Sequence, residues 1–299
     1  MTLREEGRLP PHNVDSLLLW ARRGNTGDWL IADASERFLQ DLGLSVWRSD
    51  GSVEDAAEAD DAAYLGDLFS QFRGMIVFAG GGNIGIYPDN ARMRAGVIAR
   101  LGPRRRCLVL PQSALAPEPA LARSGVTVWC RDAVSEALLR AAGSRTELVP
   151  DIALYMDDRI PKSSGGEGVI YVRRTPGGDA ETIDHGIVPG CAAADLTLTL
   201  PLGEVIAALA PYAQVLSDRL HGGLIALMMR KPTVFLPVGY HKIRAFYETW
   251  LRGAASAAYV ERQADLPDAL ARLGPANDDL GAMFRERALP AFDRFLQAG

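Results

Sequence analysis

Cysteine is scarce in this chain: Cys107, Cys130 and Cys191 are the only three in 299 residues. The set is odd in number and lacks CxxC spacing, so it builds neither a disulfide framework nor a zinc site. Cys107 and Cys130 fall in strand-like apolar runs and read as core thiols. No HExxH pattern and no carboxylate cluster is present, so no metal site is expected. Excess positive charge is also lacking. The net charge is -5, which gives no whole-chain basic field and makes nucleic acid an unexpected partner. The purely apolar stretch Leu224 to Met229 is far too short to span a bilayer, and no other run comes close to doing so. Residues 1–13 carry charges and prolines but no apolar h-region, so no secretory signal is expected, and a reducing cytoplasmic location fits best.

What the chain has instead is rhythm. Short apolar runs alternate with amphipathic stretches. Ser16 to Ala21 reads as a strand, and Asp28 to Leu42 has helical spacing with Ile31, Ala34, Phe38 and Leu42 on one side. Gly74 to Ala79, Cys107 to Leu110 and Val126 to Cys130 read as buried strands. Asn90 to Leu101 and Ala133 to Ala142 read as helices. Pro161 to Gly168 (PKSSGGEG) has linker composition. Beyond it come strands at Val169 to Val172, Val215 to Leu216 and Thr233 to Leu236, and helices at Leu202 to Leu209, Leu220 to Arg230, Ile243 to Leu251 and Asp279 to Gln297. The expected fold class is α/β, with two Rossmann-type doubly wound parallel-sheet domains facing a cleft, divided as 1–160 and 161–299.

Ligands of open parallel sheets bind beyond the carboxyl ends of the strands. Four loops at such places carry unusual residues. Arg23-Gly24-Asn25-Thr26-Gly27-Asp28 joins the first strand to its helix; its glycines allow close approach, and Thr26 or Asp28 is a candidate cap. Gly80-Gly81-Gly82-Asn83-Ile84-Gly85 follows the GMIVFA strand. It is no P-loop, and the entropy cost of three glycines favours a loop that offers backbone amides to an anion or a sugar over a merely tight turn. Arg131-Asp132 ends the third buried strand; Asp132 is a helix cap by position, and Arg131 is either a surface residue or a two-pronged partner for a carboxylate or phosphate. Ser217-Asp218-Arg219-Leu220-His221-Gly222-Gly223 opens an apolar helix, where free amides, the Arg219 charge and a proton-transferring His221 converge. Arg173, Arg174 and Lys242 (in Tyr240-His241-Lys242) are further cationic candidates. Ser113 lacks the GxSxG elbow of a hydrolase. His12 and His185 sit in polar, turn-like stretches and read as solvated.

Taken in order, GNTGD (Gly24 to Asp28), GGGNIG (Gly80 to Gly85), LPQS (Leu110 to Ser113), Arg131-Asp132 with Ser135, PDIAL (Pro150 to Leu154) and SDRLHG (Ser217 to Gly222) resemble the polysaccharide pyruvyl transferase family. The stretch Gly239 to Leu251 resembles the bacterial exopolysaccharide ketal pyruvate transferase branch, with His241 standing where that branch has glycine. The resemblance implies a GT-B-like fold and a cytoplasmic enzyme of exopolysaccharide biosynthesis. Its donor substrate would be phosphoenolpyruvate, with no cofactor. The acceptor would be a sugar hydroxyl pair, and because such acceptors are often lipid-linked, peripheral contact with the inner face of the membrane is a corollary. It also implies roles. His221 and Arg219 would be catalytic. Arg131, Arg173, Lys242, Asn25, Asp28, Gly81, Gly82, Asn83, Ser113 and Leu220 would bind substrate, with Asn25, Asp28 and Asn83 orienting sugar hydroxyls. Two readings compete with it: a GT-B glycosyltransferase using a nucleotide sugar, and a non-catalytic saccharide-binding member of the family.

Overall fold

The computed structural model describes residues 14–19, 25–49, 51–102, 105–173, 190–195 and 200–297. His12, Trp20, Ala21, Arg23, Gly24, Arg174 and His185, all considered above, lie outside the described residues. Contacts divide the chain into two compact units. The first comprises Met1–Arg22, Ile31–Ile152 and Glu286–Gly299; the second, Arg23–Leu30 and Ala153–Arg285.

The first unit is built from β1 (Ser16–Leu19), most of α1 (Thr26–Asp41), β2 (Val46–Arg48), α2 (Ser52–Glu58), α3 (Ala62–Gln71), β3 (Met75–Phe78), β4 (Gly81–Ile84), α4 (Pro88–Ala99), β5 (Cys107–Ala114), β6 (Val126–Cys130), α5 (Ala133–Ala141) and β7 (Arg145–Leu148). Its sheet is parallel throughout, in the order β2-β1-β3-β5-β6-β7, with β4 attached to β5. The inner strands are buried along almost their whole length, as expected of a sheet covered on both faces. Cys107 and Cys130 lie inside β5 and β6, where burial pushes both thiols far up from their ordinary range. β5 runs four residues past the expected end at Leu110, through Pro111 to Ala114. Proline donates no ladder hydrogen bond, and the pairing with β6 shifts register between Val109 and Gln112, where Pro111 sits.

The second unit holds β8 (Val169–Arg173), β9 (Cys191–Asp195), α6 (Leu202–Leu209), β10 (Gln214–Ser217), α7 (Leu220–Met228), β11 (Thr233–Phe235), α8 (Lys242–Phe246), β12 (Ala257–Tyr259), α9 (Leu266–Arg272) and the start of α10 (Leu280–Gln297). Its parallel sheet has the order β12-β11-β10-β8-β9. The chain leaves β8 for the edge strand β9, then returns to place β10 on the other side of β8. That reversal makes a topological switch point between β8 and β10, the usual ligand position in such sheets. The helix expected from Ile243 to Leu251 is two pieces, α8 and a π-helical turn, Tyr247–Leu251. Buried Lys231 donates to the carbonyl oxygens of Gly165 (3.0 Å), Ala210 (3.0 Å) and Tyr212 (2.5 Å), so all three ammonium hydrogens are used. Among the described residues, no helix is long and apolar enough to cross a membrane.

Candidate active site

The Ser217-to-Gly223 turn leaves β10 at the switch point of the second sheet. It is held there on several sides. Ser217 Oγ accepts the Arg219 N–H at 3.0 Å and donates to the Arg219 carbonyl at 2.8 Å. The neighbouring strand β8 supplies Tyr171, whose hydroxyl donates to the buried Asp218 carboxylate at 3.0 Å. Arg219 Nε donates to the Arg173 carbonyl at 3.3 Å, which ties the arginine to the end of β8. Arg219 is the extended N-cap of α7, and His221 lies in the first turn of that helix. Both side chains are half-buried.

The glycines after His221 serve packing within the second unit. A Cβ on Gly222 would stand 2.7 Å from Val172 Cγ1, and one on Gly223 would stand 2.1 Å from Phe235 Cε1. Their missing side chains let α7 lie directly on β8 and β11. Leu220, expected to line the substrate site, has a buried side chain and belongs to the apolar core.

The first turn of α1 groups with this unit. Its cap is Asn25, where Thr26 or Asp28 was expected. Asn25 Oδ1 accepts the Gly27 N–H at 2.8 Å, and Asp28 Oδ2 accepts the Asn25 N–H at 2.9 Å. This reciprocal pair is a capping box with acidic and amide side chains. The Thr26 hydroxyl donates instead to the Leu200 carbonyl at 2.8 Å. The box positions Gly27 against His221: a Cβ at Gly27 would lie 2.3 Å from His221 Nδ1. The imidazole therefore rests on bare helix backbone, with the amino ends of α1 and α7 on hand. Helix amino ends carry partial positive charge, and Arg219 adds a full one. The arrangement suits a small anion that is to receive or give up a proton.

Lys242, the first residue of α8, follows β11 at the same carboxyl edge of the sheet. It is largely buried, with Nζ 4.9 Å from the centre of the Tyr240 ring. Arg173 ends β8 and is half-buried.

The remaining sequence candidates lie in the first unit, and several are corrected. Gly81, Gly82 and Asn83 do not form an open loop; they begin β4, which pairs with β5 through Gly81↔Gln112. Gln112 is the clamp that makes this possible. Its Nε2 donates to the Ala79 carbonyl at 2.9 Å, and its Oε1 accepts the Asn83 N–H at 3.2 Å. Asn83 Oδ1 accepts from Arg94 at 2.6 Å, and Arg94 in turn forms a buried two-pronged pair with Glu118, at 2.8 and 2.5 Å. Arg131 is no strand-end prong open to solvent. It is fully buried, its NH1 donating to Asp151 at 2.7 Å and its Nε to Ser113 Oγ at 2.8 Å. Ser113, expected at the substrate, is equally buried and donates to Asp132 at 2.6 Å. Asp132 caps α5 as expected, accepting the Ser135 N–H at 2.8 Å. Burying the arginine is tolerable because Asp151 neutralises it and the hydrogen bonds are made. Thus LPQS, Arg131-Asp132 and PDIAL meet in one polar network inside the first unit.

Gly27, Gln112, Arg94, Glu118 and Asp151 were missed as functional or supporting residues. Gly27, Gln112 and Asp151 stand inside quoted motifs, so their signal is present but unassigned. Arg94, in the middle of a helix, has no local signal at all.

These features define a two-sheet α/β protein of the GT-B-like class. The chain is similar in fold to the crystal structure of a functionally uncharacterised protein, KP1_0663, from Klebsiella pneumoniae subsp. pneumoniae NTUH-K2044 (TM-score 0.59, 18% identity, covering 84% of this chain and 94% of that one). It is also similar to UDP-GlcNAc 2-epimerase from Methanocaldococcus jannaschii (TM-score 0.53, 10% identity, covering 95% of this chain and 99% of that one). At such identities these likenesses speak for the fold alone. No curated protein matches the chain. The sequence model of the polysaccharide pyruvyl transferase family matches residues 25–240, well over half of the chain. The chain belongs to the polysaccharide pyruvyl transferase family.

Proposed function

We propose that this enzyme transfers the pyruvyl group of phosphoenolpyruvate to a pair of hydroxyls on a sugar, forming a cyclic pyruvate ketal and releasing inorganic phosphate. The observation that carries this reading is the packing of His221 on Gly27, which joins the GNTGD and SDRLHG segments around one imidazole beside Arg219.

In the proposed reaction Arg219 holds the anionic donor, and the amino ends of α1 and α7 add to the positive field. His221 delivers a proton to the methylene carbon of the enol. The neighbouring carbon becomes electrophilic and takes up the first sugar hydroxyl, which loses its proton. The second hydroxyl then displaces phosphate at the same carbon, its proton leaving with the phosphate, and closes the ketal. Arg173 and Lys242, at the same edge of the second sheet, supply further positive charge. Asn25 and Asp28 act chiefly by fixing Gly27 beneath the imidazole. The acceptor class is a sugar unit of an exopolysaccharide, free or lipid-linked, and the enzyme works in the cytoplasm.

Thermal unfolding tests the donor assignment. A ligand present at about a hundred times its Kd stabilises a fold by about 2.7 kcal/mol. Phosphoenolpyruvate is expected to raise the Tm, and UDP and GDP are expected to leave it unchanged. The reverse pattern would support a nucleotide-sugar enzyme instead.

A further inference from the structure

A second basic feature lies in the first unit, and the proposed reaction makes no use of it. A cavity of about 670 Å³ opens where Gly74 and Met75 lead into β3 and Arg105 and Arg106 lead into β5. Arg73, Arg105 and Arg106 line it, with Asp15 and Leu296. These are the amino ends of the strands, so the cavity lies at the opposite edge of the sheet from the β4 segment. A chain of net charge -5 gathers three guanidinium groups here.

Arg105 is held in place before any ligand arrives. Its guanidinium carbon lies 5.7 Å from the centre of the Phe69 ring, and NH2 donates to the Phe69 carbonyl at 3.2 Å. NH1 is buried and has no hydrogen-bond partner among the described residues. Burial, and then the charge of Arg73, pull the Arg105 guanidinium below its ordinary range. Among the described residues, none of the three arginines forms an ion pair. The one carboxylate on the wall, Asp15, accepts from the Ser45 N–H at 2.8 Å and the Ser45 hydroxyl at 2.7 Å. Like charges gathered on the wall of one cavity are relieved by an added anion. Guanidinium forks match the oxygens of a phosphate group.

We propose that this cavity is a binding site for a phosphate-ester anion, separate from the His221 site. Such an anion has two sources, a soluble phosphorylated compound or an anionic phospholipid headgroup. Leu296, 40% exposed at the wall, offers apolar contact to the second.

The test uses the full chain and two probes: titration with inorganic pyrophosphate, and co-sedimentation with phosphatidylglycerol vesicles against phosphatidylcholine vesicles. The variants are Arg73→Gln with Arg106→Gln, which spares the stacked Arg105, and Arg219→Gln, which disables the other anion site. Melting by circular dichroism verifies that each is folded. Binding of either probe is expected to survive Arg219→Gln and to weaken at least about tenfold in the double variant, given the strength of charge-assisted hydrogen bonds. Pyrophosphate binding alone identifies a soluble ligand; sedimentation with phosphatidylglycerol only identifies a headgroup. Binding of neither probe, or binding that the double variant keeps undiminished, overturns the proposal.

Discussion

The His221 imidazole is packed against the backbone of Gly27, so closely that a Cβ there would stand 2.3 Å from Nδ1 and 2.6 Å from Cγ. One residue opens the first long helix of the chain and the other opens α7. Their meeting makes a specific demand on position 27. Gly27→Ala favours the helix itself, since alanine is the better helix former by about 1 kcal/mol. It also forces the imidazole aside. Misplacing a catalytic group by about 1 Å can cost about 10²-fold. Gly27→Ala is expected to lose about that much in kcat/KM with little change in Tm. Unchanged turnover by this variant would separate the contact from catalysis.

Arg131 and Asp151 form a buried ion pair at 2.7 Å. Removing one partner strands the other charge in the interior, at a cost of about 3–5 kcal/mol. Asp151→Ala and Arg131→Ala are each expected to lose roughly this much in urea unfolding. The double variant is expected to lose much less than the sum. Additive losses would mean that the two side chains act independently.

Cys107 and Cys130 are buried, and burial raises both thiols far above their ordinary range, so neither supplies thiolate at neutral pH. At pH 8 a thiol reagent is expected to label at most Cys191 in the native protein, and all three cysteines after denaturation. Rapid native labelling of Cys107 or Cys130 would contradict the packing of β5 and β6.

Asp15 accepts hydrogen bonds from the Ser45 hydroxyl and N–H, which hold its carboxyl below the ordinary range. A carboxyl lowered by folding stabilises the protein above its unfolded value, near about 4, and that stability is lost as pH falls through the folded value. Ser45→Ala is therefore expected to be less stable than the parent at neutral pH, with the gap closing in acid. A gap that widens in acid would carry the wrong sign.

The interior of both sheets was legible in the sequence; the edges were not. β1, β3, β5, β6, β8, β10 and β11 all announce themselves as apolar runs, because a strand flanked and covered on every side must be apolar along its length. None of the edge strands β2, β7, β9 and β12 is expected from the sequence; β9 and β12 are apolar but mostly alanine, with few of the β-branched and large side chains that mark a strand. β7 reads Arg145-Thr146-Glu147-Leu148 and is partly exposed throughout. Only its pairing with β6 makes it a strand. The site shows a similar division. Arg219 and His221 stand out in the sequence because charge, glycine and imidazole coincide at a strand end, and the fold places both at the opening of α7. Arg131 was misplaced because sequence shows a cation and hides its partner: Asp151 lies twenty residues away and meets it only in the fold. The packing role of the glycines after His221 is hidden in the sequence because their neighbours, Val172 and Phe235, come from other strands.

Phosphate release from phosphoenolpyruvate in the presence of a sugar-acceptor extract, read together with the mass of the acceptor, tests the central claim most directly. The parent enzyme is expected to release phosphate in step with acceptor molecules that gain one pyruvyl ketal. His221→Ala is expected to remain folded and to lose about 10²–10⁴-fold in rate, as for removal of a general acid. Turnover at the parent rate by His221→Ala, or phosphate release with no pyruvylated acceptor, would contradict the account.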